Sequence, residues 1–244
     1  MFASYEENFD VIQADSPRLL KEAYRLRYQV YCIENALENP DEHPSGCERD
    51  AEDDRSAHVL LLHRGSGIFA GTARVILPAA DGSSRPLPIH RILASQRQDF
   101  LHYLPLHDTA EISRFAVSKA FRRRFGQEGP AAVGTTVNLE VMSDERRMVP
   151  YITFGLIRGV LEICKKHRIV NLGAIVEPAL MRILRRFGGD FRPIGGLIDH
   201  HGMRQACWAR AADFVRRDTL LARYTECSAA SRTALHSGAF QPHP

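Results

Sequence analysis

The sequence contains no long apolar run. No stretch approaches the roughly 20 apolar residues that a membrane-spanning helix needs. The first ten residues, MFASYEENFD, also lack the basic flank and the apolar segment of a signal peptide. We therefore expect a cytoplasmic protein with no integral membrane segment.

Cysteine is scarce in this chain. The five cysteines are an odd number, and no two of them are spaced C-x-x-C. This excludes a disulfide-stapled scaffold and a zinc site built on paired cysteines, and it favours free thiols in a reducing compartment. No histidine or asparagine partner can be named for a cysteine nucleophile. The five are Cys32, Cys47, Cys164, Cys207 and Cys227.

A large excess of one charge is also missing. The formal net charge is +3 in a chain of 244 residues. That excess is too small to indicate a nucleic-acid partner, although arginines occur in clusters. Apolar residues make up 44% of the chain, so a sizeable hydrophobic core is possible.

Hydrophobic periodicity predicts alternating helices and strands. The first helix begins at Ser16-Pro17, because serine is a favoured N-cap and proline is favoured in the first turn. Its apolar stripe runs to about Tyr31. The other predicted helices are 89–104, 150–167 (after a polar linker) and 178–187, and the predicted strands are 8–12, 58–63, 69–77, 111–118, 169–176, 191–198 and 204–211.

This order of elements predicts an α/β fold with a mixed twisted sheet flanked by helices on both faces. We expect one domain over residues 1–227. Residues 35–56, rich in Pro, Asp, Glu and Gly, are expected to form a loop. Residues 228–244 are rich in Ser, Ala, His and Pro, and they are expected to form a disordered tail.

One acidic stretch stands out, CERDAEDD at residues 47–54. Its Glu48, Asp50 and Asp53 have the spacing E-x-D-x-x-D. An isolated acidic run of this kind is usually a solvated loop. A metal site is a weaker interpretation, because no histidine or cysteine ligand set accompanies the acids.

Three further segments accompany the acidic stretch. They are Arg27-x-x-x-Tyr31, then Gly71-Thr-Ala-Arg74 with Leu77-Pro78, and then Glu111-Ile-Ser-Arg114-Phe115. In this order and spacing the chain resembles the acyl-homoserine-lactone (autoinducer) synthases. The resemblance implies their fold, which is that of the GCN5-related N-acetyltransferases (GNAT fold, or acyl-CoA N-acyltransferase fold).

The chain is still more similar to relatives of those enzymes, the N-acyl amino acid synthases, and in particular to the acyltransferases associated with PEP-CTERM/exosortase systems. The segments YRLRYQVYCIE, HPSGCERD and EISRFAVSKAFRRR have that style, as do EPALMRILRRFG and HGMRQACWA. The autoinducer synthases usually have a tryptophan six residues after the aromatic, where this chain has Leu37. That difference favours an acceptor other than the one used in lactone synthesis.

The resemblance implies transfer of a fatty acyl group to the α-amine of an amino acid, giving an N-acyl amino acid. The donor is the thioester of an acyl carrier protein, with its 4′-phosphopantetheine arm, or of coenzyme A. No metal and no tightly bound cofactor are implied. Two alternatives stay open: an autoinducer synthase, and a non-catalytic acyl-ligand-binding protein of the same fold.

The resemblance also implies a site. We expect Glu48, Asp50, Asp53 and Glu111 to pair with the arginines, although each member can equally be a scaffold residue. Glu48 and Glu111 are the candidates for general base, and Arg74 and Arg114 can hold a carboxylate. The expected substrate-binding residues are Arg27, Tyr31, Asp50, Asp53, Arg74, Arg114 and Phe115.

The donor is expected in a gap between two strands, 111–118 and 169–176, where a free strand edge can offer a backbone N–H to the thioester carbonyl. The acyl chain is expected to lie against residues 87–106 and the long helix. The cluster Arg122, Arg123 and Arg124 follows the first of these strands. It is interpreted as a dock for an acidic acyl carrier protein, and the alternative is an ordinary solvated face.

Overall fold

The fold is built on one mixed sheet of seven strands in the order β1-β2-β3-β4-β5-β7-β6. The computed structural model describes residues 8–79, 85–96, 99–119, 121, 139–186, 189–199 and 202–216. Only β4 and β5 run parallel, and all other neighbouring strands are antiparallel. The strands are β1 Phe9–Gln13, β2 Ser56–His63, β3 Ile68–Ile76, β4 Thr109–Val117, β5 Asn171–Val176, β6 Arg192–Asp199 and β7 Met203–Arg210.

Helices cover both faces of the sheet, as predicted. They are α1 Pro17–Tyr28, α2 Pro88–Ala94, α3 Leu139–His167, α4 Pro178–Arg186 and α5 Asp213–Arg216. Strand residues point alternately to the two faces. Leu60 packs with residues of α1, whereas its neighbours Val59 and Leu61 pack in the large core cluster with residues of α3. Ile76 packs with residues of α2 on the same face as Leu60.

The long helix α3 lies very close to the sheet at Gly159. A Cβ atom added to this glycine would lie 2.4 Å from a methyl carbon of Val59 and 2.8 Å from one of Val11. Only glycine therefore fits where α3 crosses β1 and β2.

The start of α3 corrects the sequence prediction. The helix begins at Leu139, so the polar linker predicted before Pro150 is helical over residues 139–149. Proline costs about 3 kcal/mol in a helix interior, and for that reason Pro150 looked like a first residue. The preceding segment, LEVMSDERRM, is nevertheless rich in strong helix formers, and the helix continues through the proline.

Two other helix predictions change in extent. The helix predicted over residues 89–104 is only Pro88–Ala94, followed by a short 3₁₀ turn at Phe100–His102. Ser95 donates its hydroxyl to the Ile92 carbonyl and so satisfies one of the last helical acceptors. The first helix, capped by Ser16 as predicted, does not end near Tyr31 but continues after Tyr28 as a π-helical segment, Gln29–Glu34.

The parallel strands β4 and β5 separate part-way along their length. Their pairing covers only Thr109–Ile112 against Asn171–Ala174, while β4 continues to Val117. The predicted separation of these strands is therefore confirmed. On its other side β4 has a β-bulge, because Thr72 pairs with Ala116 and Arg74 with Ser113. The bulge leaves Arg114 with a φ of 47°, a left-handed conformation that is uncommon outside glycine.

The remaining sequence predictions are answered only in part. Cys32, Cys47, Cys164 and Cys207 are free thiols, and Cys227 lies outside the described residues. Within the described ranges, no helix is both long and apolar enough to cross a membrane. The tail predicted over residues 228–244 also lies outside the described part of the chain.

Candidate active site

A cavity of about 730 Å³ occupies the gap between β4 and β5. Residues of both strands line it, among them Ser113 and Phe115 on one side and Ile175 and Val176 on the other. The cavity therefore lies where the sheet has lost its pairing and its backbone groups face an open space.

The cavity has a charged part and an apolar part. The charged part is lined by Asp50, Arg74, Glu111 and Arg114, next to α1 and α2. The apolar part belongs to the core on the α3 and α4 side, and its lining residues there include Ile157, Val176, Leu180, Leu184 and Phe191. A polar reactant and an apolar chain can thus meet at the gap in the sheet.

A fully buried arginine anchors the charged part. Arg27 donates from Nη1 and Nη2 to the two carboxylate oxygens of Asp53, at 2.6 and 3.1 Å. Its Nε donates to Glu48 at 2.5 Å, and neither Arg27 nor Glu48 is more than 1% exposed. The bidentate geometry fixes the acidic stretch of residues 47–54, called the acidic loop from here on, against α1.

Two more arginines extend this cluster to the cavity. Arg74 donates from Nη1 to Asp50 at 2.5 Å and to Asp53 at 3.0 Å, and from Nε to the Ser113 hydroxyl at 2.9 Å. Arg114 contacts Glu48 at 3.0 Å, Asp50 at 3.2 Å and Glu38 at 3.2 Å. The expected pairing of all three loop acids with arginines is confirmed, and the loop is not a free solvated segment.

The arginines keep the loop acids ionised. Burial opposes ionisation of Glu48, Asp50 and Asp53, but hydrogen bonds and positive charges from the arginines outweigh it and lower the pKa of each carboxyl group. The same contacts raise the pKa of Arg27 despite its burial. The His58 ring lies next to Asp53, with 3.5 Å between Nε2 and Oδ1. Burial and the charge of Arg27 lower the pKa of His58 to about 4, so this ring stays neutral.

Glu111 differs from the other acids, and here the predicted pairing was wrong. It makes no hydrogen bond or ion pair with the arginines; its Oε2 accepts a hydrogen bond from the backbone N–H of Ile89, at 2.8 Å. Burial raises the pKa of Glu111 to about 7, and the Ile89 bond only partly opposes this. A lining carboxyl group with this pKa can exchange a proton near neutral pH.

The two aromatic residues predicted for the site, Tyr31 and Phe115, also lie at the gap. The Tyr31 hydroxyl donates to the Phe115 carbonyl at 3.3 Å, and the Arg114 guanidinium lies 5.5 Å from the centre of the Tyr31 ring. Both aromatic residues line the cavity. The tyrosine therefore supports the strained bulge of β4 from the π-helical side.

A second ionic cluster was not foreseen. Glu52 contacts Arg55 at 2.7 Å and Arg91 at 2.9 Å. Arg91 lies on α2, so this cluster connects the acidic loop to α2, whose first turn donates a hydrogen bond to Glu111. An E-x-D-x-x-D pattern gives no weight to position 52, and so the sequence offered no signal for it.

The predicted site residues divide into three groups. Tyr31, Asp50, Arg74, Glu111, Arg114 and Phe115 line the cavity, whereas Arg27, Glu48 and Asp53 support that wall without lining it. Arg122, Arg123 and Arg124 lie outside the described residues. The lining residues that the sequence interpretation missed include Glu38, Ser113 and Arg204.

Metal chemistry has no support in the described ranges. Within them, no group of three or more His, Cys, Asp or Glu side chains is arranged to hold a metal ion. The acids that could have formed such a group are instead bonded to arginines.

Comparison with known proteins gives the same fold. BjaI, a CoA-dependent acyl-homoserine lactone synthase solved with SAM and isopentyl-CoA, has a TM-score of 0.56 and 20% identity over 91% of this chain and 89% of that chain. TofI, in a ternary complex with an inhibitor and MTA, has a TM-score of 0.55 and 19% identity over 85% of this chain and 96% of that chain. FeeM, an N-acyl amino acid synthase from uncultured soil microbes, has a TM-score of 0.52 and 18% identity over 88% of this chain and 96% of that chain.

Among curated proteins, none matches the chain. A family match exists for residues 26–129, and the family is described as an acetyltransferase (GNAT) domain. These residues contain the arginine and carboxylate cluster, the bulge in β4 and Glu111. Residues 26–129 are thus similar to a GNAT domain, the described residues have the GNAT-like acyltransferase fold, and the two findings together support an N-acyltransferase enzyme.

Proposed function

We propose that the protein transfers a fatty acyl group from a thioester to the α-amine of an amino acid, giving an N-acyl amino acid. The observation that carries this proposal is the cavity between β4 and β5, which joins a charged part to an apolar part. The apolar part fits an acyl chain, and the charged part fits a small zwitterion.

Glu111 is the base in this proposal. An amino acid carries an ammonium group, and the amine attacks only after it has lost a proton. Ionised Glu111 takes that proton. The amine then bonds to the thioester carbon, the C–S bond breaks, the second amine proton goes to the leaving sulfur, and Glu111 later releases its proton to water.

Glu48 is less suited to that role. It is buried behind the cavity wall and bonded to both Arg27 and Arg114, which lower its pKa. A carboxylate held in this way is a weak base. Its contribution is to orient Arg114, and so to hold the bulge of β4.

The thioester carbonyl is proposed to lie at the free edge of β4. Beyond Ile112 this edge has no pairing with β5, so a backbone N–H can face the gap. Such a donor stabilises the negative charge that develops on the carbonyl oxygen during attack. This role needs only backbone and places no demand on the side chain.

The donor is proposed to be an acylated carrier protein, with acyl-coenzyme A as the alternative. The proposal of a carrier protein is based on the basic cluster Arg122–Arg124, because an acidic carrier protein would bind to such a cluster. The coenzyme A alternative is supported by BjaI, which is described as CoA-dependent. An association with a PEP-CTERM/exosortase system rests on the sequence resemblance alone.

Autoinducer synthesis is the second candidate function. It is supported by the fold of BjaI, solved with SAM. Against it, Leu37 lines the cavity at the position where the autoinducer synthases usually have a tryptophan. Leucine is smaller than tryptophan, so the shape of the cavity wall at this position differs from that expected for an autoinducer synthase.

The test is thiol release by the purified protein. Acylated carrier protein or acyl-coenzyme A is mixed with each of the twenty amino acids or with SAM, and free thiol is measured. Release that depends on an amino acid supports the proposal. Release that occurs with SAM and with no amino acid supports the autoinducer alternative. If no acceptor causes thiol release, the result supports an acyl-binding protein without catalysis.

A further inference from the structure

Among the described residues that line the cavity, one basic side chain has a buried N–H group without a hydrogen-bond partner. Arg204 lies on β7 and lines the cavity. Its Nε is buried and makes no hydrogen bond, and its Nη2 forms a long ion pair of 3.7 Å with Glu177, whose side chain is 59% exposed. A buried guanidinium donor left in this state gains from an anionic partner.

The other basic residues that line the described part of the cavity are already bonded. Arg74 and Arg114 bond to the loop acids, Arg91 donates to Glu52, and Lys119 donates to the carbonyl of Glu34. The carboxylate-binding role predicted for Arg74 and Arg114 would therefore compete with existing ion pairs. Among the described residues, the ion pair of Arg204 is a long one, with the exposed Glu177 at 3.7 Å, and it is more easily replaced.

The position of Arg204 on its strand indicates which side of the cavity it faces. Side chains alternate along β7, and Ala206 and Trp208 pack on the α2 side, in the cluster that contains Ile76 and Ile89. Arg204 has the same parity, so it lies on the face of Glu111 and Asp50, opposite the apolar part. Its charge also acts on Tyr31, where it opposes the rise in pKa that burial causes.

Partly exposed acids complete the arrangement. Asp50 and Glu38 line the cavity with side chains 31% and 22% exposed, so each keeps a face toward a ligand. A zwitterion needs an anionic surface for its ammonium group and a cationic donor for its carboxylate.

We infer that Arg204 binds the carboxylate of the acceptor amino acid, with Asp50 and Glu38 facing its ammonium group. This inference rests on the proposed function, since it assigns the acceptor's place in the same cavity. The donor's phosphate is a second possible anion, and the experiment separates the two.

The experiment measures equilibrium binding, which needs no turnover. The probes are N-dodecanoyl-glycine, which has the carboxylate and no phosphate, and N-dodecanoyl-glycinamide, which lacks the charge. Calorimetry gives the affinity of both for the wild-type protein, Arg204→Gln and Arg204→Lys. Arg210→Gln is the control, because Arg210 is an exposed arginine at the end of the same strand and does not line the cavity.

We expect the wild type and Arg210→Gln to bind the acid at least 10-fold more tightly than the amide, because charge-assisted bonds of this kind give about 10- to 100-fold. Arg204→Gln should lose this preference while binding the amide as before, which also shows that the fold is intact. Arg204→Lys should keep part of it.

The inference is overturned if the wild type shows no preference, or if Arg204→Gln keeps it. In that case the same variants are assayed for the Michaelis constant of the thioester donor, and a rise there assigns Arg204 to the donor's phosphate. If the acid preference is present and depends on Arg204 but no amino acid is acylated, Arg204 is still a carboxylate-binding residue, while the proposed function fails and with it the assignment of that carboxylate to an acceptor.

Discussion

The carboxylate of Glu111 on β4 accepts its hydrogen bond from the backbone N–H of Ile89, 2.8 Å away in the first turn of α2. In contrast to the acids of the loop, it forms no ion pair with an arginine within the described part of the chain. Deep burial raises the pKa of Glu111 to about 7, and the neutral peptide donor opposes this only in part, whereas the loop acids stay ionised.

Replacement of this carboxylate should remove the base and spare the fold. In Glu111→Gln the side-chain oxygen can still accept the Ile89 bond, but it cannot take a proton. We expect turnover to fall about 10²- to 10⁴-fold. Steady-state kinetics and thermal melting are measured together, with Glu22→Gln on the exposed face of α1 as the matched control. Full activity in Glu111→Gln would exclude Glu111 as the base.

The rate should depend on pH through the same group. Glu111 acts only when ionised, so kcat/KM should rise between pH 6 and 8 with a midpoint near the pKa of about 7. The midpoint should be absent from the residual rate of Glu111→Gln. A flat profile in the wild type would contradict the assignment.

Stability should show the opposite sign of pH dependence. The pKa of this carboxyl rises on folding from 4.5 to about 7, so its contribution to stability is complete below pH 4.5. That contribution falls as the pH rises through 7, because the unfolded chain loses its proton first. The unfolding free energy of the wild type relative to Glu111→Gln should therefore decrease over this window in urea titrations.

The buried arginine should be essential for stability. Arg27→Gln leaves Glu48 and Asp53 buried without their main partner, and we expect a loss of about 3–5 kcal/mol in the free energy of unfolding. Arg25→Gln is the matched control, since Arg25 lies on the same helix with a side chain 53% exposed. A loss of 1 kcal/mol or less in Arg27→Gln would show that the cluster is not a structural anchor.

The acyl-chain length that the enzyme prefers should depend on the apolar part of the cavity. Ile157→Phe fills space in this apolar part and should lower kcat/KM for long acyl donors about 10-fold or more, and for short donors less. A series of acyl thioesters of increasing length measures this. Ile163→Phe, in the same helix but away from the cavity, should cost stability without changing the preferred length.

The carrier protein should respond to Arg122, Arg123 and Arg124. Reversal of all three to glutamate should raise the Michaelis constant for an acylated carrier about 10-fold or more and leave a minimal acyl-pantetheine thioester nearly unaffected. The pair Lys165→Glu and Lys166→Glu, at the exposed end of α3, is the control. If the triple variant uses both donors as the wild type does, this cluster is not the dock.

Much of the charged site could be predicted from the sequence, because its members are held in short motifs. Glu48, Asp50 and Asp53 lie within six residues, and their arginine partners lie in motifs of fixed spacing. Such local patterns predict which charges meet. They do not predict which acid escapes neutralisation, since the Ile89 amide reaches Glu111 only through the packing of α2.

Other features could not be predicted for related reasons. Arg204 enters the cavity through the antiparallel pairing of β7 with β5, and strand order is not visible in local periodicity. The bulge at Arg114 depends on a register shift against β3. Within α3, the proline at 150 outweighed a favourable helical segment in the prediction, whereas the folded chain accepts it.

The proposed acyl transfer is tested most directly by mass spectrometry of lipids from a host that makes no N-acyl amino acids of its own. Cells expressing the protein are grown with a mixture of isotope-labelled amino acids, and cells expressing Glu111→Gln serve as the control. We predict new lipids that contain one labelled amino acid joined to a fatty acyl group through an amide, with the carboxylate free, and these lipids should be absent from the control. A new acyl-homoserine lactone, or no new acyl amide at all, would contradict the proposal.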